Sequence, residues 1–295
     1  MGNKNRNAET IGVINQKGGV GKSTYAHTIA RELAKKSKVL LIDSDGQATL
    51  TELIDLYSHY DKEFLDDYLA KNSVDNIFKR TTIEPIDITS IINTTENGDK
   101  INELHFLASP GIELFFNAES SGGGKDLLLK NYIKKIKKNY DYIVIDALPG
   151  VSTLFNNILL ASDSLLIPIQ TKSNSIAGAN SFIEVIDTIM GDFGTEYNNI
   201  FILPTMFNKQ RADDKAVLSE IKTDYKDFIA SCEFIGESNL VILPEIPERS
   251  VFSNAQAVRH FVQDYIEYFD TGKRDILLLL EKITKIIKKT TKKAK

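Results

Sequence analysis

The sequence of 295 residues contains one cysteine, Cys232, together with four histidines and no tryptophan. A single cysteine cannot form a disulfide within the chain, and it cannot supply a four-thiolate cluster without partners. The histidines are scattered, so no pair has the spacing of a zinc site. These scarcities exclude disulfide-rich and zinc-bound small domains, and they favour a reducing compartment such as the cytoplasm.

Long apolar runs are missing as well. A membrane-spanning helix needs roughly 18 or more consecutive apolar residues, whereas the longest candidate run here covers only residues 276–280. Residues 1–8 are polar and include no apolar signal segment, so we predict a short polar tail there. The sequence therefore predicts no membrane span.

Charge is distributed unevenly along the chain. The formal net charge is −4, but residues 271–295 carry nine Lys/Arg against two Asp/Glu, a balance of +7, which leaves −11 for residues 1–270. A basic end on an acidic body indicates that any contact with a polyanion, whether nucleic acid or lipid headgroups, is local.

Short apolar, β-branched runs alternate with segments of helical period through most of the chain, which is typical of parallel βαβ units. Each run is nearly continuous, as expected of a strand buried on both faces. Strands are predicted at 10–15, 38–43, 104–108, 142–146, 164–169, 200–204 and 241–243. Helices are predicted at 22–36, 125–138, 175–190, 212–229, 252–269 and 274–289.

These alternations predict an α/β fold with a mostly parallel, twisted sheet flanked by helices. We expect one domain over residues 9–270, within which residues 51–103 form less regular helices and loops beside the sheet. A basic amphipathic helix or tail is expected over residues 271–295, because apolar residues recur there at helical spacing while lysines crowd the end.

A glycine-rich turn, KGGVGKS over residues 17–23, follows the first predicted strand and opens the first predicted helix. Glycines let successive backbone N–H groups point at phosphate oxygens, and the helix start adds a positive dipole. This context predicts a nucleotide-phosphate site, in which Lys22 faces the β- and γ-phosphates and the Ser23 hydroxyl holds Mg²⁺. The predicted ATP contacts in the loop are Lys17, Gly18, Gly19, Val20, Gly21, Lys22, Ser23 and Thr24.

Two more predicted strands end in carboxylates. The segment VLLIDSDGQAT over residues 39–49 carries Asp43 and Asp45, and YDYIVIDALPG over residues 140–150 carries Asp146. Ligands of open parallel sheets bind at this edge, and a carboxylate there is costly to bury unless it is paired or holds a metal. Asp146 has the position of a Walker B aspartate that holds Mg²⁺ through a water. The alternative is that these carboxylates cap helices.

These motifs resemble those of the ParA/MinD/nitrogenase-iron-protein superfamily, and most closely the ParA/Soj partition ATPases. The two-lysine loop looks like their deviant Walker A motif. Residues 43–48 are similar to D-x-D-P-Q-G, with Gly46 in place of proline and Ala48 in place of glycine. Residues 140–150 are similar to Y-D-Y-I-I-I-D-x-P-P, with Leu148 in place of the first proline.

The resemblance implies a single P-loop NTPase domain that uses ATP and Mg²⁺. It further implies that Lys17 reaches the phosphates of a second subunit, that Asp45 positions or activates the attacking water, and that Asp43 supports the metal. The implied catalytic residues are Lys17, Lys22 and Asp45, and the implied metal residues are Ser23, Asp43 and Asp146. Segments at residues 161–170, 204–208 and 243–249 are similar to the family as well. They imply that Asn208 reads the adenine base and that the loop 244–249, beginning with Pro244, packs against it.

The activity that the resemblance implies is a timed switch. ATP joins two subunits, the dimer binds non-specific DNA, and a ParB-type centromere-binding partner stimulates slow hydrolysis and release. The expected location is the cytoplasm, in association with the nucleoid. A cluster-handling relative would need more cysteines than Cys232, and a synthetase of the dethiobiotin type would need a substrate pocket that the sequence does not identify.

Three interpretations of the C-terminal helix stay open. It could bind DNA phosphates without reading bases, with Lys285, Lys288, Lys289, Lys292 and Lys293 as the contacts. It could attach to a membrane as in the MinD ATPases, which is disfavoured because no Trp or Phe follows Phe269. It could also pack on the core and end in solvated lysines, which would leave DNA contact to Arg211, Lys215 and Arg259.

Overall fold

The computed structural model describes residues 7–92, 100–120 and 124–292. Within these residues the strands are β1 Glu9–Val13, β2 Lys38–Ser44, β3 Ile86–Asp87, β4 Glu103–Leu107, β5 Tyr142–Ala147, β6 Ser164–Gln170, β7 Asn199–Thr205 and β8 Asn239–Ile242. They form one sheet in the order β3-β4-β2-β5-β1-β6-β7-β8. Neighbouring strands run parallel, except that β3 is antiparallel to β4.

Helices cover both faces of the sheet. They are α1 Lys22–Ala34, α2 Thr49–Ile54, α3 Lys62–Asn72, α4 Asp75–Phe78, α5 Thr89–Ile92, α6 Glu113–Ser120, α7 Leu128–Ile136, α8 Thr153–Ala161, α9 Ser175–Phe193, α10 Ala212–Thr223, α11 Tyr225–Ser231, α12 Ser250–Ala257, α13 Val262–Phe269 and α14 Arg274–Thr291. Short 3₁₀ turns lie at Leu56–Ser58, Lys125–Leu127, Lys137–Asn139, Ile235–Glu237 and Thr271–Lys273.

Alternate residues of the central strands point into two separate apolar layers. Ile143 and Ile145 of β5 pack with the layer under α7, α8 and α9. Val144 between them packs with the opposite layer, which lies under α1, α12, α13 and α14. Burial on both faces explains why the strands read as continuous apolar runs, and it confirms the predicted α/β fold with a mostly parallel sheet.

The strand predictions are confirmed to within two residues at each of seven strands. β3 was missed because it is only two residues long and lies at the sheet edge. The described part of region 51–103, residues 51–92 and 100–103, includes most of α2, all of α3 to α5, and β3, beside the β4 edge. No helix of the described chain is long and apolar enough to cross a membrane.

Some helix predictions were wrong. The helix expected at 252–269 is broken between α12 and α13, where Arg259 adopts a left-handed φ of 55°. The helix expected at 212–229 is interrupted at Asp224. α8 was not predicted, because eight of its nine residues are buried and it therefore shows no polar face with a helical period.

The C-terminal helix packs on α1. Four apolar residues of α14 are buried against the layer that contains α1: Ile276, Leu280, Ile283 and Ile287. The structure therefore supports the interpretation in which this helix is part of the core, and its apolar face is not available to insert into a membrane.

This packing predicts a clear difference between two substitutions in α14. Ile283→Ala removes a fully buried side chain and should lower the free energy of unfolding by about 2–5 kcal/mol. Leu278→Ala, at a position that is 67% exposed on the same helix, should change it by less than about 0.5 kcal/mol. Denaturant unfolding would measure both; equal, small effects would show that α14 does not pack on the domain.

Candidate nucleotide-binding site

The phosphate loop connects the end of β1 to the start of α1. Gly19 and Gly21 have φ values of 71° and 93°, which other residues adopt only with strain. A Cβ at Gly21 would also lie 2.6 Å from a ring carbon of Tyr25. No side chain of the described residues caps the N-terminus of α1. Its first N–H groups and its dipole are therefore free to meet phosphate oxygens, as the sequence predicts.

Two side-chain amides form hydrogen bonds with the backbone of the loop. Asn15 donates to the Pro168 carbonyl at 2.6 Å and accepts from the Lys17 N–H at 2.8 Å. Gln170, at the end of β6, donates to the Gly19 carbonyl at 3.0 Å. Sequence reasoning missed both anchors, although Gln170 ends one of the segments that resemble the ParA/Soj pattern.

Lys22 is 7% exposed and lies close to the carboxylates of Asp45 and Asp146. Burial lowers the pKa of its amine, while Asp146 and then Asp45 oppose that shift. The ammonium group thus lies at the base of the loop, between a helix start that attracts anions and two negative side chains.

Asp146 is fully buried at the end of β5, directly opposite Asp43 of β2 in the parallel register. Neither of its carboxylate oxygens has a hydrogen-bond partner among the described residues. Burial raises its pKa well above the ordinary value and the Asp43 charge raises it further, whereas the Ser23 hydroxyl acts in the opposite direction. An unpaired buried carboxylate beside a hydroxyl is a donor set that suits Mg²⁺. Ser23 and Asp146 therefore fit the predicted metal site.

Asp43 is buried as well, but its oxygens are occupied. Oδ1 accepts the Asp45 N–H at 3.0 Å, and Oδ2 accepts the Thr51 N–H and hydroxyl, each at 2.8 Å. Burial raises the pKa of Asp43 to about 6 despite these bonds. Asp43 therefore holds the turn that carries Asp45, and its place in the metal shell remains a prediction. Thr51 was not predicted, because nothing in its local sequence marks it.

Asp45 is turned toward the cleft by a compact turn. Its Oδ1 accepts the Gln47 N–H at 2.9 Å, and its carbonyl accepts the Ser109 hydroxyl at 2.8 Å. Ala48 has a left-handed φ of 52° at the position where the ParA/Soj pattern has glycine. The backbone therefore keeps the conformation that glycine favours, although an alanine stands there, and this strain costs about 1–2 kcal/mol.

A cleft of about 590 Å³ opens above the loop. One wall is formed by the loop with Asp45, Gln47 and Thr49, and the other by later segments of the chain. The second wall consists of Pro149, Met206, Pro247, Glu248, Arg249, Ser250, Phe252, Ser253 and Gln256. Pro247, Glu248 and Arg249 belong to the loop expected at the base, whereas no role was predicted for the others. The apolar members Met206, Pro247 and Phe252 provide a surface of the kind that an adenine ring stacks on.

Asn208 and Pro244, the predicted base contacts, are not among the residues that line this cleft. The Asn208 amide instead donates to the Glu248 carboxylate at 3.4 Å, and its N–H donates to Asp214 at 2.8 Å. The chain segment that follows Pro244 reaches the cleft three residues later, at Pro247.

Lys17 is exposed and does not line this cleft. Its Nζ donates to Gln170 Oε1 at 3.0 Å, beside a separate hollow of about 230 Å³ that also contains Val20. The two lysines of the loop therefore point in different directions, Lys22 into the cleft of its own chain and Lys17 out of it.

The predicted DNA-contact lysines have different surroundings. Lys285 pairs with Glu281 at 2.8 Å. Lys288 is half-buried and donates to the Leu33 carbonyl at 3.3 Å, and burial lowers its pKa. Lys289 and Lys292 are exposed, and Lys293 lies outside the described residues.

The alternative DNA contacts are exposed on other surfaces. Arg211 pairs with Glu248 at 3.4 Å, and Arg259 pairs with Asp55 at 2.9 Å. Lys215 is exposed on α10.

A phosphate loop, a buried lysine and two buried strand-end carboxylates, of which Asp146 is unpaired among the described residues, lie at one edge of a parallel sheet and define a P-loop nucleotide-binding protein. Residues 8–200 match the family described as AAA domain. The chain is 30% identical over 219 residues to the sporulation initiation inhibitor protein Soj of Bacillus subtilis, covering 74% of this chain and 80% of Soj. It is 37% identical over 246 residues to an uncharacterised protein of Methanocaldococcus jannaschii, covering 81% and 87%.

Among solved structures, the chain resembles a putative plasmid partition protein of Borrelia burgdorferi B31 bound to AMPPNP. The TM-score is 0.67 at 28% identity, and the match covers 96% of this chain and 99% of that one. The chain belongs to the AAA-domain family, and within it to the ParA/Soj type of P-loop ATPase.

The unpaired Asp146 predicts an unusual stability effect. Without Mg²⁺, Asp146→Asn should raise the free energy of unfolding by about 1–3 kcal/mol, because it removes a carboxylate whose charged form is disfavoured by burial and by Asp43, effects that Ser23 and Lys22 only partly offset. A carboxylate with a raised folded pKa contributes stability below its unfolded pKa and loses that contribution as pH rises through the folded value. The gain in the free energy of unfolding from Asp146→Asn should therefore increase as the pH rises above about 4.

Thermal unfolding across a pH series, with EDTA, would measure this gain. Asp163→Asn is a suitable control, because Asp163 is paired with Lys137 and should lose rather than gain stability. A destabilised Asp146→Asn variant would show that Asp146 is satisfied inside the protein.

Proposed function

We propose that this chain is a Mg²⁺-dependent ATPase of the partition or positioning kind, whose ATP-bound state is a homodimer with shared sites. The proposal rests on one observation: the two lysines of the phosphate loop point in different directions. Lys22 serves the cleft of its own chain, whereas Lys17 points out of it and is exposed. A cation in that position can complete the site of a second copy, as an arginine finger does in other P-loop enzymes.

The residues support hydrolysis as follows. The loop N–H groups and Lys22 bind the β- and γ-phosphates of ATP. Mg²⁺, held by the Ser23 hydroxyl and Asp146 with Asp43 nearby, would supply positive charge at the phosphate oxygens. Asp45 accepts a hydrogen bond from the attacking water and orients it, and the Asp43 bond to the Asp45 N–H keeps Asp45 in place. Lys17 of the second subunit stabilises the charge that develops on the transferred phosphoryl group.

The role we propose for this cycle is partition of a DNA molecule or positioning of a cargo. In its ATP state the dimer binds non-specific DNA in the cytoplasm, at the nucleoid, and a ParB-type partner stimulates slow hydrolysis and release. Support comes from the similarity to Soj and to the Borrelia partition protein. The MinD-like membrane alternative has less support, because the apolar face of α14 is buried against the domain.

A mixing experiment tests the shared site. Lys17→Ala and Asp45→Ala variants should each hydrolyse little ATP alone, because each homodimer lacks a group in both sites. In an equimolar mixture, a heterodimer has one site with Asp45 intact and Lys17 supplied by its partner. Random association should then restore about a quarter of the wild-type turnover.

A matched control is the mixture of Lys22→Ala with Asp45→Ala. Lys22 acts within its own chain, so both sites of that heterodimer are defective and no activity should return. If the first mixture stays inactive while each variant still dimerises with ATP, Lys17 acts within its own chain and the shared-site proposal fails.

A further inference from the structure

The end of α1 and the last helix form a lysine-lined groove at the sheet edge opposite the nucleotide cleft. α1 begins at the phosphate loop, and its C-terminus lies beside the start of β4, where the Asn102 N–H donates to the Ala34 carbonyl at 2.7 Å. With 13 residues and a rise of about 1.5 Å each, α1 places this end roughly 20 Å from the loop. The lysine strip, as we name it, consists of Lys36, Lys100, Lys285, Lys288 and Lys292.

The strip is concave. One hollow of about 430 Å³ is lined by Lys36, Lys100, Lys285 and Lys288, and a second of about 220 Å³ by Lys36, Lys288 and Lys292. The two hollows share Lys36 and Lys288 as lining residues, so they adjoin each other and together make up the groove. Lys288 lies half-buried at the bottom of the groove, where its ammonium group donates a hydrogen bond to the Leu33 carbonyl.

The positive charge of the groove is only partly neutralised. Glu32 pairs with the adjoining Lys35 at 3.1 Å, and Glu281 pairs with Lys285 at 2.8 Å. The remaining acidic lining groups are Glu9 and Asp141, and Asp141 accepts the Lys38 N–H at 2.9 Å. Among the described residues, no carboxylate forms an ion pair with Lys36, Lys100 or Lys292. This local excess of positive charge contrasts with the net negative charge of residues 1–270.

The spacing of the lysines suits a regular polyanion. Lys285 and Lys288 of α14 and Lys292, which follows the helix in helical conformation, are three and four residues apart. They therefore share one face and span about 10 Å along the helix axis. That length matches about three base-pair steps of a DNA strand. The groove offers lysine ammonium groups and no described aromatic side chain apart from Tyr142, so it has the means to contact phosphates but little means to stack on bases.

We infer that the lysine strip is the surface through which this protein holds the phosphate backbone of non-specific duplex DNA. The inference rests on the proposed function and adds the location of the contact. Because the strip lies opposite the nucleotide cleft, a dimer that joins two clefts face to face leaves both strips exposed. The strip consists of lysines from three parts of the chain. Lys289, which the sequence alone suggested as a DNA contact, is not part of it.

The test compares two triple variants. The strip variant is Lys36→Ala, Lys100→Ala, Lys292→Ala, which leaves the partnered Lys285 and Lys288 in place. The control is Lys130→Ala, Lys134→Ala, Lys138→Ala, which removes three exposed lysines from α7 and the turn after it. Neither set touches the nucleotide cleft, so basal ATP turnover and the thermal midpoint should stay at the wild-type values.

Fluorescence polarisation with a random-sequence duplex, in ATP-Mg²⁺ and across a salt series, measures binding. The strip variant should bind at least about tenfold more weakly, and the slope of log affinity against log salt should fall by about 2–3, since each phosphate contact contributes about 0.9. The control should match the wild type. A variant with Lys→Arg substitutions at the same three positions should bind DNA as the wild type does.

The outcomes separate the two proposals. If wild-type protein does not bind DNA in any nucleotide state, the proposed function fails. If wild type binds and the strip variant binds with the same affinity and slope as the control, only the lysine strip is overturned. Loss of binding to phosphatidylserine vesicles in the strip variant, without loss of DNA binding, would also overturn it by making the strip a lipid contact.

Discussion

The structure depends on two buried carboxylates whose charge the neighbouring protein groups, chiefly Ser23 and Lys22 at Asp146, offset only in part. Asp146 and Asp43 face each other on neighbouring parallel strands with no exposure to solvent, and the Asp146 oxygens have no described partner. Such an arrangement is unfavourable in an isolated chain. A divalent cation and a triphosphate in the cleft would make it favourable, so the residues that destabilise the free protein are the ones that we propose bind its nucleotide.

The surrounding fold holds these charges in position. The parallel sheet brings the ends of β1, β2 and β5 to one edge, and burial on both faces keeps those strands from moving apart. The glycines at 19 and 21 let the loop bend closely around a phosphate. α1 then runs from the loop to the opposite edge, where α14 packs on it and Lys288 binds its final turn. One helix therefore joins the nucleotide site to the basic groove.

Local patterns predicted the parts of the site that lie close together in sequence. The phosphate loop and the three strand-end aspartates were found because glycine spacing and apolar runs mark them directly. The second wall of the cleft was predicted only in part. The loop 244–249 was expected at the base, but Met206 and Phe252 were missed because they are ordinary residue types that only the fold brings to the phosphate loop. The break at Arg259 was missed for a similar reason, since a left-handed arginine has no local signal of the kind that glycine provides.

We predict a strict dependence of nucleotide binding beside the buried Asp146 carboxylate on a divalent cation. It is tested most directly by isothermal titration calorimetry of AMPPNP into the purified protein, with Mg²⁺ and with EDTA. We expect measurable binding with Mg²⁺ and affinity at least about a hundredfold weaker with EDTA, because a triphosphate brought near the buried carboxylates without a cation adds like charge. Equal affinity in the two conditions would contradict it.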